Sequence, residues 1–316
     1  AQSAAPSSPA NGAVFYDTDD DKISVYINSE FYELTYTNLP PPYFGGRGLF
    51  AGGSYGDVID YITIATPGNA TDFGDLIQAR GSIASCAGDG RGIFGGGMVF
   101  SKYDIIEYVT ISTPGNGTDF GDLSAIRTYM AACSSGTRGL FGGGQESANV
   151  NIIEYITIAT PGNVTDFGDL TEARRNLSSC SDGSRGLFAG GYASSSSDVI
   201  DYVTIASTGN ATDFGNLSSA RQAISSCANK TYGLFGGGST DTIDYVTIAT
   251  TANAADFGNL SSSKGGMGAC SDGTKGVFGG GGVDVIEYVT IATPGNVTDF
   301  GDLTSSREGV SSCSGD

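Results

Sequence analysis

The stretch RGLFAGG stands at residues 47–53 and again at 185–191. A short apolar run ending in glycines is one sequence form of a phosphate cradle, in which freed backbone N–H groups surround an oxyanion. A nucleotide loop of that kind also needs G-x-x-x-x-G-K-(S/T) at the start of a helix. No Lys follows Gly190 and Gly191, and the variants GIFGGG, GLFGGG and GVFGGG bring the number of copies to six. Six near-equal copies point to a scaffold, where missing side chains let backbones approach.

Thiols are the second candidate. Cys86, Cys133, Cys180, Cys227, Cys270 and Cys313 each follow the Phe of a (T/A)DFG tetrad by 13 residues. Six cysteines are compatible with three disulfides. A metal site is disfavoured, since the chain has no His and no CxxC pair. No metal or other cofactor is expected.

Charged pairs are the third. Eleven of fifteen basic residues occupy two recurring places. Arg47, Arg91, Arg138, Arg185 and Lys275 precede the glycine-ended segment, and Arg80, Arg127, Arg174, Arg221, Lys264 and Arg307 precede the cysteine segment. Asp72, Asp119, Asp166, Asp213, Asp256 and Asp299 stand eight residues ahead of the second series, so a repeated Asp–Arg tie such as Asp213–Arg221 is expected. A catalytic acid pair would show as one copy unlike the rest, and none differs in that way. Without histidine no Ser-His nucleophile is available, nor the imidazole ligands of a copper oxidase. SDGSRGLF at 181–188 approaches a sialidase turn but has the wrong spacing and no Trp. No catalytic residues are assigned.

Two shorter signals have simple readings. DTDDDK at 17–22 has acids at the first, third and fifth places of a calcium loop, yet Lys22 stands where Gly is needed and Asn28 where Glu is needed. A solvated turn is expected. Five of the six PGN-type turns carry an N-x-Ser/Thr sequon, and Gly-Asn is also what a tight turn requires.

These positions belong to a repeat. The tetrad Phe recurs at 73, 120, 167, 214, 257 and 300, spaced 47, 47, 47, 43 and 43 residues apart. Each copy holds four β-compatible segments, in the fourth copy GLFAGG, DVIDYVTIA, TDFGNL and ARQAISSCA. Four short strands per period of this length match the blade of a β-propeller. In DVIDYVTIA, Val199, Val203 and Ile205 alternate with Ile200, Tyr202 and Ala206, so both faces are largely apolar, as a blade between two neighbours requires. Fifty glycines against nine prolines, with abundant Val, Ile, Thr, Tyr and Phe, agree with many short strands and turns.

The repeat resembles the kelch family, whose blade has a hydrophobic strand ending in Gly-Gly, a Tyr closing the second strand, an aromatic opening the third and an Arg before the fourth. In the fourth copy the matching residues are Gly190, Gly191, Tyr202, Phe214 and Arg221, and Cys227 marks the last strand. Phe replaces the family's usual Trp in every copy.

The fold expected is all-β: a six-bladed kelch-like β-propeller of four-stranded blades in 43–47-residue repeats, preceded by a small N-terminal β-hairpin module. Its divisions are a flexible linker (1–12), the hairpin (13–36), a Pro/Gly linker (37–46) and the propeller (47–316). The propeller repeats fall at about 47–90, 91–137, 138–184, 185–231, 232–274 and 275–316. With strands taken in this order, the glycine-ended strands form the hub and the ring closes by packing the last blade on the first, without strand exchange. Equivalent cysteines in adjacent blades then lie too far apart for disulfides and serve as small buried apolar groups. The opening AQSAAPSSPANG has neither an initiator Met nor a secretory signal and reads as a processed or partial product.

Length varies only between Gly-Gly and the D-x-I-(D/E)-Y strand, with six-residue inserts MVFSKY (98–103), QESANV (145–150) and YASSSS (192–197) in copies two to four. The region ahead of the cysteine strand varies in content on the same face. A rigid frame carrying divergent loops on one face is a common recognition design. The candidate ligand contacts are Phe100, Lys102, Tyr103, Tyr129, Gln145, Glu146, Arg175 and Tyr192.

A net charge of −19 opposes binding to nucleic acid or anionic lipid, and no apolar run is long enough to span a bilayer. The wording DYVTIATPGNATDFGDL and the hairpin resemble marine bacteriophage virion appendage and tail-fibre proteins. That resemblance implies a non-enzymatic adhesion protein on an extracellular particle, with a host cell-surface receptor or glycan and other virion proteins as partners. A capsid-decoration or filament protein that self-assembles as a homo-oligomer is the alternative, and a glycan-cleaving propeller enzyme the third.

Overall fold

The structure, a computed structural model, describes residues 45–315 and the backbone of three upstream strands. Those strands, Val14–Asp17, Lys22–Ile27 and Glu30–Leu34, pair antiparallel in one sheet. Residues 18–21 of the acidic turn, the 1–12 linker and most of the 37–46 linker lie outside the described residues.

From residue 45 onward the chain forms six sheets of four antiparallel strands, the blades of a propeller. In order from the axis outward, blade II is Ala84–Gly88, Arg91–Gly95, Ile105–Thr110 and Thr118–Asp122. Blade III is Ala131–Ser134, Arg138–Gly142, Ile152–Thr157 and Thr165–Asp169, and blade IV is Ser178–Ser181, Arg185–Ala189, Val199–Thr204 and Thr212–Asn216. Blade V is Ile224–Ala228, Tyr232–Gly237, Thr240–Thr247 and Ala255–Lys264. Blade VI is Met267–Ser271, Lys275–Gly280, Val283–Thr290 and Thr298–Arg307. Blade I combines the two ends of the ring: Ser311–Gly315 pairs with Arg47–Ala51, followed by Val58–Thr63 and Thr71–Asp75.

Two expectations are corrected here. The cysteine strand is innermost, not outermost, and the ring closes by strand exchange, with Ser311–Gly315 as the inner strand of the blade that begins at Arg47. Serine hydroxyls link successive inner strands at the axis: Ser134 Oγ donates to Ala87 O and Ser181 Oγ to Ser134 O, both at 2.6 Å. The same bond joins Ser314 Oγ to Ser271 O next to the seam.

The apolar cores lie between blades. One of them joins Leu49, Ile59 and Phe73 of blade I to Ala87, Phe94 and Val109 of blade II. Each cysteine is a free, buried thiol seated on a glycine of the following blade. A Cβ on Gly186 would come within 2.7 Å of Cys133 Sγ, and one on Gly139 within 2.8 Å of Cys86 Sγ. The sulfur fills the volume that the missing side chain leaves.

The outer rim is latched by the PGN turns. Asn163 Oδ1 accepts from Asp122 N at 3.1 Å, and Val164 N donates to Asp122 O at 3.0 Å, tying blade III to blade II. Asn210 repeats the bond on Asp169, and Asn69 makes it across the seam on Asp302. The tetrad glycine is needed beneath this turn: Gly168 has φ +146, and a Cβ there would lie 2.5 Å from Gly209 O.

Candidate recognition face

Strand order fixes which loops share a face. Connections from second to third strand and from outer strand to the next inner strand emerge together; the short hairpins and PGN turns emerge opposite. All the length variation of the repeats therefore falls on the first of these faces.

The base of that face is held by buried ion pairs. Arg80 meets Glu107, Arg221 meets Asp244 and Arg307 meets Asp60, each pair almost wholly enclosed. Arg174 lies 2.8 Å from Asp201, Lys264 2.9 Å from Glu287 and Arg127 3.1 Å from Glu154. The expected Asp213–Arg221 tie does not form. Asp213 is exposed on the outer strand, whereas the carboxylate that Arg221 uses belongs to the third strand of blade V. Glu107, Asp201, Asp244, Glu287 and Asp60 also fasten the neighbouring blade: Asp201, for example, accepts from Thr171 N at 3.2 Å and Thr171 Oγ1 at 2.6 Å. Burial pushes the Glu107 and Asp201 carboxyls above the ordinary carboxylate range despite their arginines, and lowers Arg80 and Arg174. Such pairs fix geometry more than they add net stability.

The other basic series works on the opposite face. Arg185 stacks over Tyr202 at 4.8 Å and donates to Ile248 O and Ala249 O of the next blade. Tyr202 meets Phe214 edge-on at 6.0 Å. In blade V, Tyr232 takes the place of the base and packs edge-on against Tyr245.

Gly190 and Gly191 end the second strand, away from the axis. Their φ values of +62 and +105 turn the chain into the insert, where Gly191 N donates to Arg221 O at 2.8 Å. Because the hub is made by the cysteine strands, these glycines form the neck beneath the variable loops.

The three long inserts share one backbone form despite unrelated sequences. In each, the first residue bridges the preceding outer-to-inner crossing: Met98 to Gly81, Gln145 to Thr128 and Tyr192 to Arg175. A tight tip follows, with Val99 N donating to Ser101 O, Glu146 N to Ala148 O and Ala193 N to Ser195 O. The inserts are also joined to one another. Lys102 Nζ donates to Glu146 O, and Asn149 Nδ2 donates to Tyr192 O at 2.9 Å and Ala193 O at 3.0 Å. Blades II, III and IV thus present one continuous ledge.

Several predicted contact residues act inside this ledge. Tyr103 Oη accepts from Gln78 Nε2 at 2.9 Å, Arg175 lies over the Tyr192 ring at 5.0 Å, and Glu146 Oε1 stands 3.3 Å from Arg127. Gln145 is held by bridges to Thr128 and Asn149. Phe100 alone of the eight is fully exposed. Three residues missed by the sequence reading accompany it: Tyr55 (58% exposed), Ile77 (50%) and Ile126 (51%) are the other large exposed apolar groups among the described residues. All four lie on loops of this face. Their signal was present, since each is an apolar residue at a position where other copies vary.

Tyr129 sits at the mouth of the axial channel, in a closed circle of backbone hydrogen bonds. Tyr129 N donates to Ser82 O, Asn176 N to Tyr129 O, Ala223 N to Asn176 O, Gly266 N to Ala223 O, Gly309 N to Gly266 O and Ser82 N to Gly309 O. All six residues have positive φ, between 54 and 70. Below the mouth the channel is lined by uncharged residues of the six inner strands, among them Ser85, Ser179, Ser226 and Ser312. Among the described residues no three His, Cys, Asp or Glu side chains are grouped as a metal site would need.

No family model matches this chain, and no curated protein matches it in sequence.

Proposed function

We propose that the ring is a non-enzymatic recognition module that binds its target through the loop face of blades I to IV. One observation supports this most: three inserts with unrelated side chains keep the same backbone form and are stapled into one surface. A fold that holds loop shape constant while the side chains change is suited to adapting to different targets. The buried ion pairs beneath are structural, repeated in every blade, and none is singled out for chemistry.

The kelch-like reading rests on the glycine, tyrosine and arginine positions of the repeat. The virion reading, an extracellular appendage or tail-fibre component that attaches to a bacterial surface, rests on the wording of the repeats. The test is adhesion of the labelled full chain to bacterial cells, against a variant whose inserts 98–103, 145–150 and 192–197 are each cut to the short connection of blade V. At least a tenfold loss of adhesion with an unchanged melting transition is expected. Undiminished adhesion by the shortened variant removes the reading.

A further inference from the structure

Resting on that reading, we infer that the sector of blades I and II takes a protein partner that presents apolar side chains flanked by lysines or arginines. The four exposed apolar residues gather around a single insert. Gly81 bridges Met98, and the backbone of Tyr55 lies against Gly81. Gln78, next to Ile77, donates to Tyr103, and Arg127 N, next to Ile126, donates to Tyr103 O at 3.0 Å. Phe100 stands at the tip between them, fully exposed. Large apolar side chains grouped on one face of an otherwise polar surface mark an interaction site.

The rim around them is acidic. Asp57, Asp75, Asp104, Asp122 and Glu308 are each half-buried or exposed, and each sits at a loop end on this face. The nearby cations are engaged: Arg80 and Arg127 are enclosed in their ion pairs, and Lys102 is given to Glu146 O. A carboxylate rim around an apolar centre complements a basic rim around an apolar centre. With a net charge of −19, the same surface repels a second copy of the chain and an anionic membrane. Tyr55 and Phe100 carry rings, but Ile77 and Ile126, the other half of the group, are branched aliphatics with no flat face for a sugar, so the mixed patch with its acidic rim fits protein side chains better than a glycan.

The experiment titrates the fluorescently labelled full chain with a short amphipathic Leu/Lys peptide and with its Leu/Glu counterpart. Binding to the Leu/Lys peptide alone is expected. The paired variant Phe100→Ser with Ile126→Ser should weaken it at least tenfold, and Asp104→Asn with Asp122→Asn should weaken it severalfold and flatten its salt dependence. Failure of the Leu/Lys peptide to bind, or equal binding by both variants, overturns the inference. So does Phe100-dependent binding to phosphatidylcholine vesicles or to an oligosaccharide in place of the peptide, or Phe100-dependent dimerisation in sedimentation. If the peptide fails while insert shortening still abolishes cell adhesion, the partner chemistry is wrong and the recognition face stands. If shortening has no effect while the peptide binds as expected, the adhesion reading falls and the sector remains a docking site.

Discussion

Arg307 donates to the carboxylate of Asp60 across 247 residues of chain, and its other nitrogen reaches Gly52 O at 3.0 Å and Val58 O at 2.8 Å. The pair does for the seam what Arg174 and Asp201 do inside an uninterrupted stretch of chain. Removing one partner strands a buried charge. Asp60→Ala is expected to cost about 3–5 kcal/mol, and Asp60→Leu with Arg307→Met clearly less, as read by urea denaturation. Equal losses in the single and double variants would contradict this.

Two glycines six residues apart should respond to very different extents. Gly168→Ala places a methyl 2.5 Å from Gly209 O at φ +146, whereas a Cβ on Gly162 meets nothing within 4 Å. The first substitution is expected to destabilise by about 2–4 kcal/mol and the second by about 0.5 kcal/mol or less. Chemical denaturation of both proteins decides it.

The thiols should be silent in the folded ring. All six are buried, and burial pushes the Cys86 and Cys270 thiols up to about 12 from a reference of 9.0. A group whose folded pKa is raised contributes stability that is complete below the unfolded value and is lost as pH rises through the folded one. Stability should therefore hold up to about pH 9 and decline between about pH 9 and pH 12. An aromatic disulfide reagent at neutral pH should label no thiol before unfolding and six after it; rapid labelling of the native chain would refute the packing described.

Cutting the staples between inserts should loosen the ledge without unfolding the ring. Asn149→Ala removes the bonds to Tyr192 O and Ala193 O, both on the surface of the frame. Global stability is expected to fall by about 1 kcal/mol or less, while amide exchange at residues 192–197 accelerates severalfold. Unchanged exchange would mean that the inserts hold their shape independently.

The sequence shows the six-fold period and the strand character of each segment, because spacing and alternation are local. It does not show which strand is innermost. Four strand types that recur around a closed ring look the same whichever is taken as the first, and only the pairing of Ser311–Gly315 with Arg47–Ala51 breaks the tie. The partner of Arg221 was missed for a related reason. Both Asp213 and the Asp244 position recur in every copy, so spacing offers two carboxylates per base. What separates them is burial: Asp201 and its equivalents share a strand face with Val199 and Val203 and are enclosed, while Asp213 is exposed. The variable loops were legible as a face. That Tyr103, Lys102 and Tyr192 would be consumed in holding that face, leaving Phe100 outermost, depends on contacts between residues 25 to 44 positions apart.

The uneven inserts also set a count. A frame of six near-equal blades would offer six equal places to any target that read the frame. Here the long loops occupy three adjacent blades, and the apolar group surrounds only one of them, so rotation about the axis brings no second copy of that surface into view. Under the proposed recognition role, the stoichiometry to expect is one target per ring, met in one orientation.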